Sequence, residues 1–332
     1  MWGRHKALRG ARRGANLREM SHAEGPQARS SLALLGAVTA ISTAAIGIRF
    51  ADAWAPTAIA AGRVSVTALA MLPWIRHELP QLRAAIRRDP RVSLRIAIAG
   101  LLLAAHFGSW IASLGRISVL SSVALVTTQP LFAIVLGRWI GDEVSPRAWV
   151  GAAIAVGGGW FMSDGGGDFV GAALAVAGAG FAAAYLAVGR GLRTHVPLGA
   201  YFVAVHAIAA ALLWLVTFVL GVAPQAWAPA GWWVLYLGII PGVVGHGLLN
   251  WSVRRVAVHT VALMVLLEPV GSGWLAWLLL DEVPTSAELL GGALLLLGVG
   301  VGAWPSRSAP AVNAGDPAPD VAPPGTRDEK SG

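Results

Sequence analysis

The sequence predicts an all-α membrane protein of ten transmembrane helices, arranged as two inverted five-helix repeats. Composition is the first reason: 56% of residues are hydrophobic and only 13% are charged, against roughly 25% charged in a soluble domain. Several apolar runs reach the ~20 residues that cross a ~30 Å hydrocarbon layer. A pattern written twice is the second reason. His106-Phe107-Gly108-Ser109-Trp110, Gln129-Pro130 and Asp142-Glu143-Val144 return as His246-Gly247-Leu248-Leu249-Asn250-Trp251, Glu268-Pro269 and Asp281-Glu282-Val283. Pro130 and Pro269 stand 139 positions apart, and so do Glu143 and Glu282. The third reason is that basic residues are confined to alternate loops.

The elements follow in order. Residues 1–30 carry Arg4, Lys6, Arg9, Arg12, Arg13, Arg18 and Arg29 without an apolar period, and read as a disordered basic tail. Spans are expected near 32–50, 56–75, 94–114, 118–139 and 146–163, making residues 31–164 the first repeat. Further spans near 169–188, 199–221, 231–250, 258–280 and 286–304 place the second repeat at 165–304. Between the second and third spans, 76–92 is long enough for a surface helix whose arginines face lipid headgroups. Residues 305–332, rich in Pro, Ala, Gly and Asp, read as a second disordered tail. Ala51-Asp52-Ala53 resembles a signal-peptidase site, but cleavage there would leave nine spans and break the repeat. The 41 glycines suit lipid-embedded helices that pack through small side chains.

Charge then sets orientation. With the N-terminus in the cytoplasm, both tails and segments 76–95, 138–147, 190–195 and 252–257 share one side. They hold 22 of the 25 Lys and Arg residues. The opposite side keeps Arg49 and Arg116, and Arg63 falls within a span. This bias predicts a multi-pass protein of the cell (plasma or inner) membrane with both termini cytoplasmic. Five spans per half is odd, so the second half enters the bilayer from the other face. Halves related in that way enclose one site that opens alternately to each side, which points to a secondary transporter.

The recurring residues resemble the EamA-type family of the drug/metabolite transporter superfamily. Arg63, the His-Phe-x-x-Trp stretch, Ser121-Ser122-Val123-Ala124, Gln129-Pro130-Leu131-Phe132 and Gly141-Asp142-Glu143 followed by Gly151 carry the likeness in the first half. Asn250-Trp251, Leu267-Glu268-Pro269-Val270, Asp281-Glu282-Val283 and Gly291-Gly292 repeat it over residues that end near 304. The resemblance implies a plasma-membrane carrier of small metabolites, amino acids or drugs, usually outward and coupled to an ion gradient. The first span departs from the family's Trp-Gly pair: residues 37–43 read Ala-Val-Thr-Ala-Ile-Ser-Thr.

Candidate pathway residues are those that lipid makes expensive. Glu268 lies thirteen residues before Asp281, about 20 Å along the helix, and so well inside the core. A carboxyl there is a candidate proton carrier, against the alternative of a protonated group bonding a broken helix turn. Gln129, its counterpart, cannot titrate. Arg63, some 10 Å deep, is the candidate countercharge or a bidentate grip for a substrate carboxylate; snorkelling is the rival reading. His106 and His246 occupy near-equivalent places and His206 adds a third, for a proton relay or for structural hydrogen bonds. Trp110, Asn250 and Trp251, with Phe107 and Tyr185, are candidate cavity walls. Pro130 and Pro269 lack an N–H and are expected to kink their helices, as gates or as packing bends. Glu143 and Glu282 are expected to cap helix ends and pair with arginines.

Several classes are excluded. Lysine occurs only at Lys6 and Lys330, so no phosphate-binding loop is present. The absence of cysteine removes disulfides and thiolate metal sites. No metal or cofactor and no nucleic-acid partner is expected, since the net charge of +8 lies in tails and loops. No nucleophile elbow appears, so the chain is not read as an enzyme. The expected partners are a small-molecule solute, a proton or other coupling ion and the lipid bilayer, with a homodimer left open. A gradient-independent uniporter and a non-transporting membrane partner or sensor are the competing readings.

Overall fold

The computed structural model describes residues 32–139, 144–164, 168–192, 196–224, 226–227, 229–253 and 264–304. The expected tails and Glu143 lie outside these residues. Every regular element described is helical: α1 Leu32–Phe50, α2 Pro56–Arg88, α3 Arg91–Leu114, α4 Val119–Arg138, α5 Pro146–Asp164, α6 Phe169–Leu192, α7 Leu198–Val219, α8 Ala230–Leu249, α9 Leu267–Leu280 and α10 Ser286–Ala303. Local chemistry sets several starts. Pro56 opens α2, where its missing N–H would have had no partner. Ser118 caps α4 through the Ser121 N–H, and Thr285 with Glu288 forms a capping box on α10.

Six of these helices, α1, α3, α4, α6, α7 and α8, are long and apolar enough to cross a membrane. The number becomes seven if α2 is one span, for Pro56–Pro73 and Ile75–Arg88 meet at 97°. The ten expected crossings are therefore not all matched by length and apolarity. Glycine dilutes α5, while α9 begins after the undescribed residues 254–263 and spans 14 residues. Beyond its bend, α2 sets Ile75, Leu79, Leu82 and Ile86 against the core and leaves Arg76, Arg83, Arg87 and Arg88 exposed.

Helix pairing carries the mark of duplication. Helix α2 packs on α7 and α5 on α10, while α3 packs on α6 and α7 as α8 packs on α1 and α2. Exchanging the halves turns each pairing into another on the same list of neighbours. Helix interruptions coincide as well. Helix α4 breaks at Thr127-Thr128 just before Gln129-Pro130, and the second half breaks at Leu266 just before Glu268-Pro269. Pro130 cannot donate to the preceding turn. There the Thr127 and Thr128 hydroxyls donate to the Val123 and Leu125 carbonyls at 2.7 and 2.6 Å.

The crossing of α5 and α10 is the tightest. A Cβ on Gly151 would stand 2.4 Å from the Gly298 carbonyl oxygen, and one on Gly158 2.6 Å from that of Gly291. The later the residue in α5, the earlier its partner in α10, so these repeat-equivalent helices cross antiparallel. Backbones touch with nothing between them, which only glycine permits. Gly298→Val is expected to force them apart, at a cost of about 1–3 kcal/mol by overpacking. A fall in the midpoint of thermal unfolding in detergent measures this, and an unchanged midpoint would refute the crossing.

Candidate functional site

A cavity of about 180 Å³ lies where the two halves meet. The middle of α3 supplies Leu103, His106 and Phe107, and α4 supplies Gln129 from beside its break. Helix α6 adds Ala182, Tyr185, Leu186 and Gly189, and α8 adds His246 and Leu249. From α7 come Leu198, Tyr201, Phe202 and His206. The α6, α7 and α8 residues lie in the halves of those helices toward the end of the bundle where Arg88, Arg91, Arg147 and Arg190 stand at helix ends. The cavity thus reaches from mid-bundle toward this basic end.

Aromatic and imidazole rings line it. Tyr185 and Tyr201 stack at 6.4 Å with 13° between planes, and Phe202 stacks on His206 at 3.9 Å. Gly189 lets the Tyr201 ring approach, since a Cβ there would meet its hydroxyl at 2.6 Å. His106 Nδ1 lies 2.9 Å from the Gly178 carbonyl, and His206 Nδ1 lies 2.8 Å from the Phe202 carbonyl. A carbonyl only accepts, so each Nδ1 carries a hydrogen, and in the neutral ring Nε2 remains an acceptor.

Behind this wall lies Arg63, 2% exposed. Its guanidinium carbon stands 4.3 Å over the Phe107 ring and 5.8 Å from that of Trp110, a desolvated cation–π contact. Among the described residues, its Nη1 has no hydrogen-bond partner. The charge acts on Glu268 and on all three histidines, which makes one electrostatic cluster. No ion pair joins Arg63 to Glu268, which is half-buried at the start of α9. Snorkelling is excluded for Arg63 by its burial. The departing stretch of α1 meets the same region. Ser42 Oγ donates to the Glu268 carbonyl at 3.4 Å, Ser272 Oγ to the Ser42 carbonyl at 2.9 Å, and the Tyr236 hydroxyl to Thr43 Oγ1 at 2.7 Å.

The opposite end is clasped. Arg49 Nη2 bonds Glu282 Oε1 at 2.7 Å and the Ile117 carbonyl at 3.1 Å. Glu282 Oε2 accepts the Val119 N–H at 2.8 Å and so caps α4 from another helix pair. Glu288 accepts from the Ser118 and Ser121 hydroxyls, and Arg116 pairs with Asp168 at 2.5 Å. Both arginines assigned to this face by sequence are therefore in ion pairs. Desolvation opposes ionisation of Asp168, but the Val170 and Gly171 N–H groups and Arg116 together outweigh it and hold its carboxyl below the usual range. A depressed carboxyl contributes its pairing above the ordinary pKa and loses it only as pH falls through the lower value.

Of the residues chosen from sequence, His106, His246 and Gln129 line the cavity, and Trp110 packs behind it with its ring 6.1 Å from that of His106. Pro130 and Pro269 sit at the two helix breaks. Trp251 is 39% exposed and outside the cavity wall; only the backbone of Asn250 is described. Tyr201 and Phe202 were not singled out by sequence, although Phe202 stands one helical turn before His206 on the same face. Among the described residues, no cluster of His, Asp or Glu is arranged to hold a metal ion.

Apolar helices, duplicated halves and a central cavity with a buried charge beside it are those of a multi-pass membrane protein. The EamA-like transporter family model matches residues 29–163 and again 169–302, and the chain belongs to that family. An uncharacterized transporter of Archaeoglobus fulgidus is 24% identical over 253 residues, 73% of this chain and 86% of that protein. A crystal structure at 20% identity superposes with a TM-score of 0.59, covering 82% of this chain and 96% of the other. That likeness concerns the fold alone.

Glu282→Gln is expected to weaken the clasp by about 0.2–1 kcal/mol, the range for partly exposed pairs. Thiol labelling from the clasped face of a cysteine placed at Leu186, in the cavity wall, should then rise roughly 1.4- to fivefold. An unchanged rate would show that the clasp does not close that face.

Proposed function

We propose that the protein is a secondary active exporter of a small metabolite, amino acid or drug, driven by a proton gradient. Ten spans in two inverted five-helix repeats, 31–164 and 165–304, cross the cell membrane with both termini in the cytoplasm. The observation that carries this reading is the asymmetry of the cavity. It extends to the basic end, whereas Arg49–Glu282 and Arg116–Asp168 tie the far end shut. With the basic end cytoplasmic, this is the inward-facing member of an alternating pair. Solute enters from the cytoplasm, the helix breaks at Pro130 and Pro269 absorb the bending, and the clasps open on the other side.

Glu268 is the proton carrier in this scheme. It is the one carboxylate placed deep within the helices among the described residues, and Arg63 is its electrostatic partner without a direct ion pair. Protonation would leave the Arg63 charge uncompensated, which makes solute binding and proton binding interdependent. His106, His206 and His246 stand within reach of the same field.

A cysteine-free chain gives a clean background for testing this. With Leu186→Cys in vesicles, impermeant thiol reagents added on either side should both label the cavity, with the ratio set by the pH gradient. Labelling from one side only would refute alternating access. Glu268→Gln is expected to abolish the pH dependence of flux and of the labelling ratio while the protein stays inserted. Proton-driven flux at the native level in that variant would remove Glu268 from coupling, and pH-independent flux in the native chain would identify a uniporter.

A further inference from the structure

The chemistry of the cavity narrows what it accepts. Among the described residues that line it, none is an aspartate or glutamate. Its polar groups are three imidazoles, the Gln129 amide and two tyrosine hydroxyls. Such a wall has nothing to neutralise an ammonium group. A fixed positive charge lies one ring away, because Arg63 stands over Phe107, itself a wall residue. Nη1 of that guanidinium is buried with no hydrogen-bond partner among the described residues. A buried donor left unsatisfied is costly, more so when it is charged. An acceptor that reaches it would remove that cost, and an anionic one would also meet the field already felt by all three histidines. Arg190, next in the chain to the wall residue Gly189, is exposed, as are Arg95 and Arg138 toward the same end of the helices, and positive charge there favours the approach of anions. Flat rings, Tyr185, Tyr201, Phe202 and Phe107, share the remaining surface with leucines and two small residues.

We propose that the cavity binds an organic anion with a flat, apolar body: an aromatic carboxylate whose ring packs among these side chains and whose carboxylate turns toward Arg63. The assignment rests on the carrier reading above and adds its substrate class. Phe107 is the movable partition in this arrangement. A carboxylate in the cavity gains the guanidinium fork when that ring swings aside, so the cation–π contact is exchanged for a bidentate pair.

Benzoate, benzamide and benzylamine form a nearly isosteric series that differs in charge, and protection of Leu186→Cys from alkylation reads their binding. Benzoate is expected to protect at concentrations about tenfold lower than benzamide, the ratio typical of one charge-assisted contact. Benzylamine should protect least. Arg63→Gln is expected to equalise benzoate and benzamide, and Arg63→Lys to retain part of the difference. Comparing the three ligands on the otherwise native chain decides the matter even if the Arg63 variants misfold. Benzamide or benzylamine matching benzoate, or no protection by any of them, overturns the assignment. Two-sided labelling of the same cysteine reads alternating access separately, so failure of the substrate class is distinguishable from failure of the carrier reading.

Discussion

Close backbone contact between the two halves is the constraint on which this architecture depends. In a bilayer the apolar side chains of one helix gain little by meeting those of another, because lipid tails are equally apolar. What holds α5 to α10 is proximity itself, and proximity needs Gly151, Gly158, Gly291 and Gly298, where no Cβ would fit. Their antiparallel register binds the last helix of each half to its equivalent. The other pairings, α2 with α7 and the reciprocal contacts of α3 and α8, then follow one approximate twofold relation.

Around that frame, polar groups are placed where helix geometry fails. Both breaks precede a proline, and the first is supported by threonine hydroxyls bonding the local carbonyls. Gln129 reaches the cavity from one break and Glu268 begins the helix after the other. Arg63, wholly enclosed, is held by two aromatic rings rather than by a carboxylate. A buried cation without a direct counter-ion is costly, and a site that tolerates one is poised to respond to an anion or a proton.

Much of this was legible in the chain. The doubled motif located the halves, and His106, His246 and Gln129 were found as repeat-related polar groups in apolar surroundings. Arginine bias picked out Arg49 and Arg116 as belonging to one face. Their partners were not legible: Glu282 is 233 residues from Arg49, and no local rule pairs them. No direct ion pair joins Arg63 to Glu268, and the Phe107 and Trp110 rings, which no local rule places there, stand beside the guanidinium. Trp251, the repeat partner of an aromatic in α3, lies exposed instead. Six helices qualify as spans by length and apolarity, fewer than the ten the repeat pattern predicts, and glycine lowers the apolarity of α5 even as it enables its packing.

The sequence by itself determined that this is a multi-pass, duplicated membrane protein, because composition and repeat period are additive properties of single segments. Tertiary structure alone decided which end is closed, which rings surround the cavity and what stands against Arg63. Those outcomes depend on side chains from distant helices meeting in space, and within lipid such meetings are selected by fit between surfaces rather than by any signal carried in one segment.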